Sequence, residues 1–301
     1  MQESKQNTKR RKKWLIPLII IGVLILYCVV TYVVTPLVIV RPNYNEEAAK
    51  ELTLIELEEL YAEKQPMNMP MVEDIKIEAP DGNLYGWRLH QMNNSYSGEA
   101  DLLLYFGGYD EDSSTAALRF LNQMTESDYF NGYDIAVIDY PGFGTSGGKA
   151  TDEAIRESAT LAYNYFKTRG NVRNIYVMGY SFGCGPAAYA ASSYDVSGLI
   201  LLAPYETIYD LYNSVTPVFY GPMKLLISFQ MDTKDYAEKV KCKPLILASK
   251  ADERIPYRYS LALSEHFTED AEFVTLDAAA HGELPADPKA LNAISVYLQK
   301  N

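Results

Sequence analysis

The stretch Ile175-Tyr176-Val177-Met178-Gly179-Tyr180-Ser181-Phe182-Gly183-Cys184-Gly185-Pro186-Ala187-Ala188 decides how the rest of this chain is read. Ile175 to Met178 suit a buried strand, and the small residues from Cys184 onward suit a helix packed closely on a sheet. Between them lies Gly-x-Ser-x-Gly. A strand that turns into a helix through this pentapeptide strains the backbone at the serine and lifts its hydroxyl over the end of the sheet. Glycines two residues to either side keep Cβ atoms out of the crossing. The same turn aims backbone N–H groups at the place where an oxyanion develops. Gly-x-Ser-x-Gly also occurs in ordinary turns, so a base, an acid and a second N–H donor must be found elsewhere in the chain.

With 301 residues there is room for a membrane segment plus one α/β domain. The composition, 48% hydrophobic and 22% charged, is that of a folded protein. Net charge is −12 but unevenly placed: residues 1–13 carry six basic side chains (Lys5, Lys9, Arg10, Arg11, Lys12, Lys13) against Glu3 alone, leaving the remainder near about −17. An acidic body argues against a nucleic-acid partner, since phosphate binding needs a basic face. Three cysteines make no disulfide framework; Cys28 lies in an apolar run, and Cys184 and Cys242 read as buried thiols.

From Trp14 to Val40 runs a stretch of 27 residues without a charge, and about 20 apolar residues cross a bilayer. A cleaved signal peptide has a shorter apolar core and a small-x-small site, and neither feature is found here. The expectation is one uncleaved transmembrane helix, 14–40, behind a basic tail, 1–13. Basic residues on the N-terminal side place that end in the cytoplasm and the main domain on the far side of the cell membrane. Asn43 to Lys64, with seven glutamates, reads as a helical acidic linker within 41–70, and the main domain as 71–301.

Within that domain, Glu73–Glu78 and Leu84–Leu89 flank Pro80-Asp81-Gly82-Asn83 as a hairpin. Further strands are expected at Asp101–Phe106, Asp134–Asp139, Leu199–Leu202, Pro244–Ser249 and Ala271–Leu276. Helices are expected at Ser113–Thr125, capped by serine, and at Thr151–Arg169, Arg258–Phe267 and Pro288–Lys300. Strand alternating with helix implies an α/β fold, a mostly parallel sheet covered on both faces.

A serine hydroxyl needs a base beside it. Of three histidines, His90 ends the early hairpin and His266 lies in a helical segment. His281 follows the last strand in a small-residue loop, where such a sheet presents its reactive groups. The imidazole needs a carboxylate to orient it. Asp252, just past the strand 244–249, is favoured over its neighbour Glu253 by that position. For the oxyanion, one donor is the backbone N–H of Phe182; the other, assigned to Tyr109, follows Gly107-Gly108, where backbone can approach a substrate.

With these residues in place, the chain resembles a serine hydrolase of the α/β-hydrolase superfamily. It is most similar to the membrane-anchored, serine aminopeptidase-like branch that includes the palmitoyl-protein thioesterases of eukaryotic cells. The resemblance rests on LLLYFGGYDED at 102–112, DYPGFGTSGG at 139–148, GYSFG at 179–183, KADERIP at 250–256 and AAAHGEL at 278–284. It implies the α/β-hydrolase fold with a short cap at about 205–232, and the chain order Ser181, Asp252, His281 for the catalytic groups. The family often has histidine where this chain has Gly107. No metal or organic cofactor is implied. The expected partners are the membrane and a small-molecule, lipid or acylated substrate cleaved at an ester, thioester or amide. A peptidase, or a non-catalytic binding protein on the same fold, stands as the alternative. The cap segment Tyr205–Met231 carries six aromatics and three charges, an apolar surface to be buried either on the domain itself or as a face that accepts an acyl chain.

Overall fold

The computed structural model describes residues 2–39, 71–91 and 99–300. The expected linker helix, 43–64, lies outside the described residues. The N-terminal helix α1, Gln2–Ile39, contains a run at Leu15–Val34 long and apolar enough to cross a membrane, none of it buried in the protein.

Eight strands form one sheet: β1 (Met71–Ile77), β2 (Leu84–His90), β3 (Ala100–Phe106), β4 (Tyr133–Ile138), β5 (Val172–Tyr180), β6 (Gly198–Leu202), β7 (Leu245–Ser249) and β8 (Glu272–Leu276). Their order is β1-β2-β4-β3-β5-β6-β7-β8, antiparallel from β1 through β2 to β4 and parallel thereafter. The interior strands β4, β6 and β7 are buried at every position, as continuous apolar runs covered on both faces must be. At the edge, β1 buries only Ile75 and Ile77 and keeps its polar residues outward. The β1–β2 turn closes with Ile77 opposite Leu84, and Gly82 adopts a φ of 136° that favours glycine.

Two groups of helices cover the sheet. Helix α3 (Asp152–Lys167) packs on α4 (Cys184–Ser193), through a stripe of Ile155, Ala159, Ala162, Tyr163 and Phe166 at helical spacing. The Thr151 side chain caps α3 by accepting from the Ala154 N–H. The other group is α2 (Ser113–Glu126) and α8 (Pro288–Lys300); Gln123 of α2 donates to the Pro285 carbonyl just before α8. The cap of α2 differs from the expected serine. Asp112 accepts from the Thr115 N–H at 2.8 Å, while the Ser113 hydroxyl turns inward to Asp139, 2.8 Å away. A carboxylate caps a helix as well as a hydroxyl, and Asp139 offers Ser113 a buried partner that local sequence does not reveal.

Between β6 and β7 run α5 (Ile208–Val215), a 3-10 turn at Gly221–Leu226 and α6 (Thr233–Ala237). Of the two readings of the cap aromatics, burial on the domain holds for most: Tyr205, Tyr212, Phe219 and Phe229 are buried there, and only Tyr220 of the six is exposed. Phe219 is locked inward because Asn213 bonds both its N–H and its carbonyl. Helix α7 (Tyr257–Ser264) follows β7 and is shorter than its sequence pattern suggests.

Candidate active site

Strand β5 ends at Tyr180, and Ser181 opens a 3-10 turn that leads directly into α4. Ser181 has φ 52°, a left-handed conformation that costs a side-chain-bearing residue of order 1–3 kcal/mol. The flanking glycines show why the turn is so tight. A Cβ on Gly179 would sit 2.5 Å from the Gly183 carbonyl oxygen and 2.8 Å from the Ala187 Cβ. A Cβ on Gly183 would run into the Phe106 carbonyl oxygen at the end of β3 and lie 2.6 Å from that of Gly107. The second glycine of the pentapeptide is therefore also what lets the loop after β3 close against the elbow.

The structure brings Ser181, His281 and Asp252 together from three loops at one end of the sheet. Ser181 Oγ lies 2.9 Å from His281 Nε2, and His281 Nδ1 lies 2.8 Å from Asp252 Oδ2. Ser181 is 3% and His281 2% exposed. The other Asp252 oxygen accepts the N–H groups of Arg254 and Ile255 at 2.9 and 2.7 Å, which fixes the carboxylate plane. Glu253 has a different partner: its Oε2 accepts the backbone N–H of His281 at 3.0 Å. The two neighbouring carboxylates thus hold the same histidine by its ring and by its main chain.

Further contacts around the site escaped sequence reasoning. Tyr180 stacks on the His281 ring, with centroids 5.2 Å apart, and donates its hydroxyl to the His281 carbonyl at 2.9 Å. Burial, with the Asp110 charge nearby, pushes its phenol well up, so it stays a donor. Arg254 pairs with Asp110 at 2.8 Å, joining the loop after β7 to the loop after β3. Tyr140 donates to the Gly107 carbonyl at 2.9 Å, and Tyr105 and Arg119 bind Glu111 from the far side of that loop. The only sequence signal for these was the position of Tyr180 inside the pentapeptide.

Tyr109 lies in the turn that follows Gly108, and its N–H meets no acceptor among the described residues. Phe182 is buried directly after the serine, its ring 5.9 Å from Phe229 of the cap segment. The remaining histidines are elsewhere. His90 sits between Asp134 and Glu73, 2.9 Å from each, and His266 contacts Glu206 at 3.2 Å. Among the described residues no cluster of histidine, cysteine and carboxylate side chains could hold a metal ion.

Known proteins share this arrangement of sheet and helices. The family described as alpha/beta hydrolase fold matches residues 113–241. An esterase from Pyrococcus furiosus superposes with a TM-score of 0.61 at 16% identity, covering 77% of this chain and 91% of its own. This chain has the α/β-hydrolase fold. An acylaminoacyl peptidase from Pyrococcus horikoshii shares that fold too, at TM-score 0.57 and 12% identity over 80% of this chain and 42% of its own. Among curated proteins, the human alpha/beta hydrolase domain-containing protein 17B is 26% identical over 169 residues, 56% of this chain and 57% of its own length. The chain spans about half the length of the curated relatives it matches.

Proposed function

We propose that this chain is a membrane-anchored serine hydrolase that cleaves an ester, thioester or amide through an acyl-enzyme. The observation that carries the reading is the unbroken hydrogen-bonded chain from Ser181 Oγ through the His281 ring to Asp252 Oδ2. His281 Nε2 takes the hydroxyl proton as Oγ attacks the acyl carbon, and the Asp252 carboxylate stabilises the imidazolium that forms. The N–H groups of Phe182 and Tyr109 receive the oxyanion, each donor worth about 3 kcal/mol in the transition state. His281 then returns the proton to the leaving group, and water releases the acyl group by the same steps in reverse. None of these steps requires a metal or an organic cofactor.

In this reading residues 1–13 form a cytoplasmic tail and 14–40 cross the cell membrane. Residues 41–70 link the anchor to a hydrolase domain, 71–301, on the extracytoplasmic side, with its cap at 205–232. The exposed apolar surface of Leu15–Val34 supports the anchor. Together with the KADERIP segment it favours the membrane-anchored, serine aminopeptidase-like branch of the superfamily.

A fluorophosphonate probe should label the full chain at one site, and Ser181→Ala should abolish both labelling and turnover. A panel of acyl esters, thioesters and aminoacyl amides then assigns the bond. Stoichiometric labelling of Ser181→Ala would overturn the assignment of the nucleophile.

A further inference from the structure

The described part of the hydrolase domain leaves six large apolar side chains exposed, and four of them fall within residues 215–225. Val215, Val218, Tyr220 and Leu225 are 65, 41, 57 and 80% exposed. No residue of the 3-10 turn Gly221–Leu226 is buried. From Leu211 to Met231 the sole charged residue is Lys224. Such a patch needs a partner, and its neighbour says which one.

The turn Gly221–Leu226 packs against α1, and Ser228 donates its hydroxyl to the Tyr32 carbonyl at 3.3 Å. Between Leu15 and Val34, Cys28 and Thr31 are the two residues not fully exposed, which marks the face of α1 that the turn covers. Taking the 20-residue core Leu15–Val34 as the part of segment 14–40 that spans the hydrocarbon, Tyr32 stands about 3 Å and Cys28 about 9 Å inside its Val34 end at 1.5 Å per residue. That run is about the thickness of a hydrocarbon core. A segment resting on α1 at this level lies at the boundary of the bilayer, not in the water above it. Its residue types suit the place. Tyr220 is an aromatic of the kind that suits a membrane interface, and Lys224, whose amine stands 4.8 Å over the Tyr209 ring, is a long cationic side chain of the kind that reaches headgroups from an apolar surface.

We propose that residues 215–226 form a second membrane contact, entering the headgroup and upper acyl layer of the bilayer that α1 crosses; this rests on α1 being a membrane anchor. The occupant of the patch is lipid. Because Phe229, just beyond the turn, packs against Phe182 beside Ser181, the contact lies next to the reactive serine. The substrate class it favours is an acyl group presented at a membrane surface.

The test uses the full chain in phosphatidylcholine vesicles, with Cys28→Ala and Cys242→Ala so that one introduced thiol carries an environment-sensitive fluorophore. Cys184 is buried, and burial also pushes its thiol well up, so it stays unlabelled. Leu225→Cys and, independently, Val215→Cys probe the patch. Ile21→Cys probes the middle of the apolar run, and Gly170→Cys, at the opposite end of β5 from Ser181, probes water. Lipids bearing a nitroxide near the headgroup should quench positions 225 and 215 at least about twofold more than position 170, while a nitroxide deep in the chain should act best on position 21. Quenching at 21 without quenching at 225 or 215 above the level at 170 places the patch in water and overturns the proposal. No quenching at 21 overturns the anchor itself, and the lipid contact falls with it. Thermal melts of each labelled chain establish that it remains folded.

Discussion

The strain at Ser181 is useful only if His281 stays where it can take the proton, and two adjacent carboxylates share that task unequally. Asp252 faces the ring, where the proposed mechanism has it stabilise charge; Glu253 accepts the main-chain N–H and ties down the loop. The difference is testable. In Asp252→Asn the amide nitrogen faces Nδ1 as a donor and imposes the wrong tautomer, so kcat should fall by about 10⁴-fold with KM little changed. Glu253→Gln keeps an oxygen that accepts the His281 N–H, and should cost less than about tenfold. Steady-state kinetics on the best ester of the panel separates them, and a reversed order of losses would make Glu253 the acid. Position after the strand was enough to rank Asp252 first in the sequence. The role of Glu253 was not legible, because it depends on a main-chain N–H 28 residues away.

Among the elements, the meeting of β3, β5 and α4 sets the geometry of the site. A methyl group on Gly183 would collide with the backbone of Phe106 and Gly107, which cannot swing aside as a side chain can. Gly183→Ala should therefore destabilise the domain by about 1–3 kcal/mol and lower kcat more than it raises KM, since it displaces the turn that carries Tyr109. Gly108→Ala is the contrast. Its nearest neighbours are Tyr180 ring atoms at 3.3 Å, so it should cost less than about 1 kcal/mol. Denaturant melts and kinetics on both variants check the ranking, and equal losses would sink it. The strands were legible to within a residue or two, except that β5 begins three residues before Ile175, at Val172, because buried parallel strands are unbroken apolar runs with turn residues at their ends. The cap was not: aromatics at 205–231 announce burial but not its partner, and Asn213 decides the matter for Phe219. Nor does any local pattern announce that Arg254 meets Asp110 across 144 positions.

For the whole molecule, β4 carries a buried carboxyl near each end, and the two are set in opposite directions. Asp134, near its start, joins Arg88 and His90 of the neighbouring strand β2. Burial raises its carboxyl, but the His90 and Arg88 side chains outweigh that and hold it below the usual range. Its stabilisation is present at neutral pH and is lost as pH falls through the depressed value. Asp134→Asn leaves the fully buried Arg88 without its counter-charge and should cost about 3–5 kcal/mol at pH 7, read from a denaturant melt. Asp139, just past the other end, accepts from the Ser113 N–H and hydroxyl and from the Thr145 N–H. Burial nevertheless pushes it up to about 7. Its folded value lies above its unfolded value, so the native state holds the proton more tightly. Stability from this group is complete below the unfolded pKa and is lost as pH rises through the folded one. A rise from the ordinary carboxyl value to about 7 corresponds to about 4 kcal/mol between roughly pH 4 and pH 8. Asparagine in place of Asp139 carries no titrating proton. The wild-type chain should therefore weaken relative to Asp139→Asn across that window and run parallel to it on the more acid side. Urea melts of both full chains in the same detergent, at closely spaced pH values, measure the difference. Parallel curves throughout would mean that Asp139 keeps an ordinary carboxyl in the folded protein.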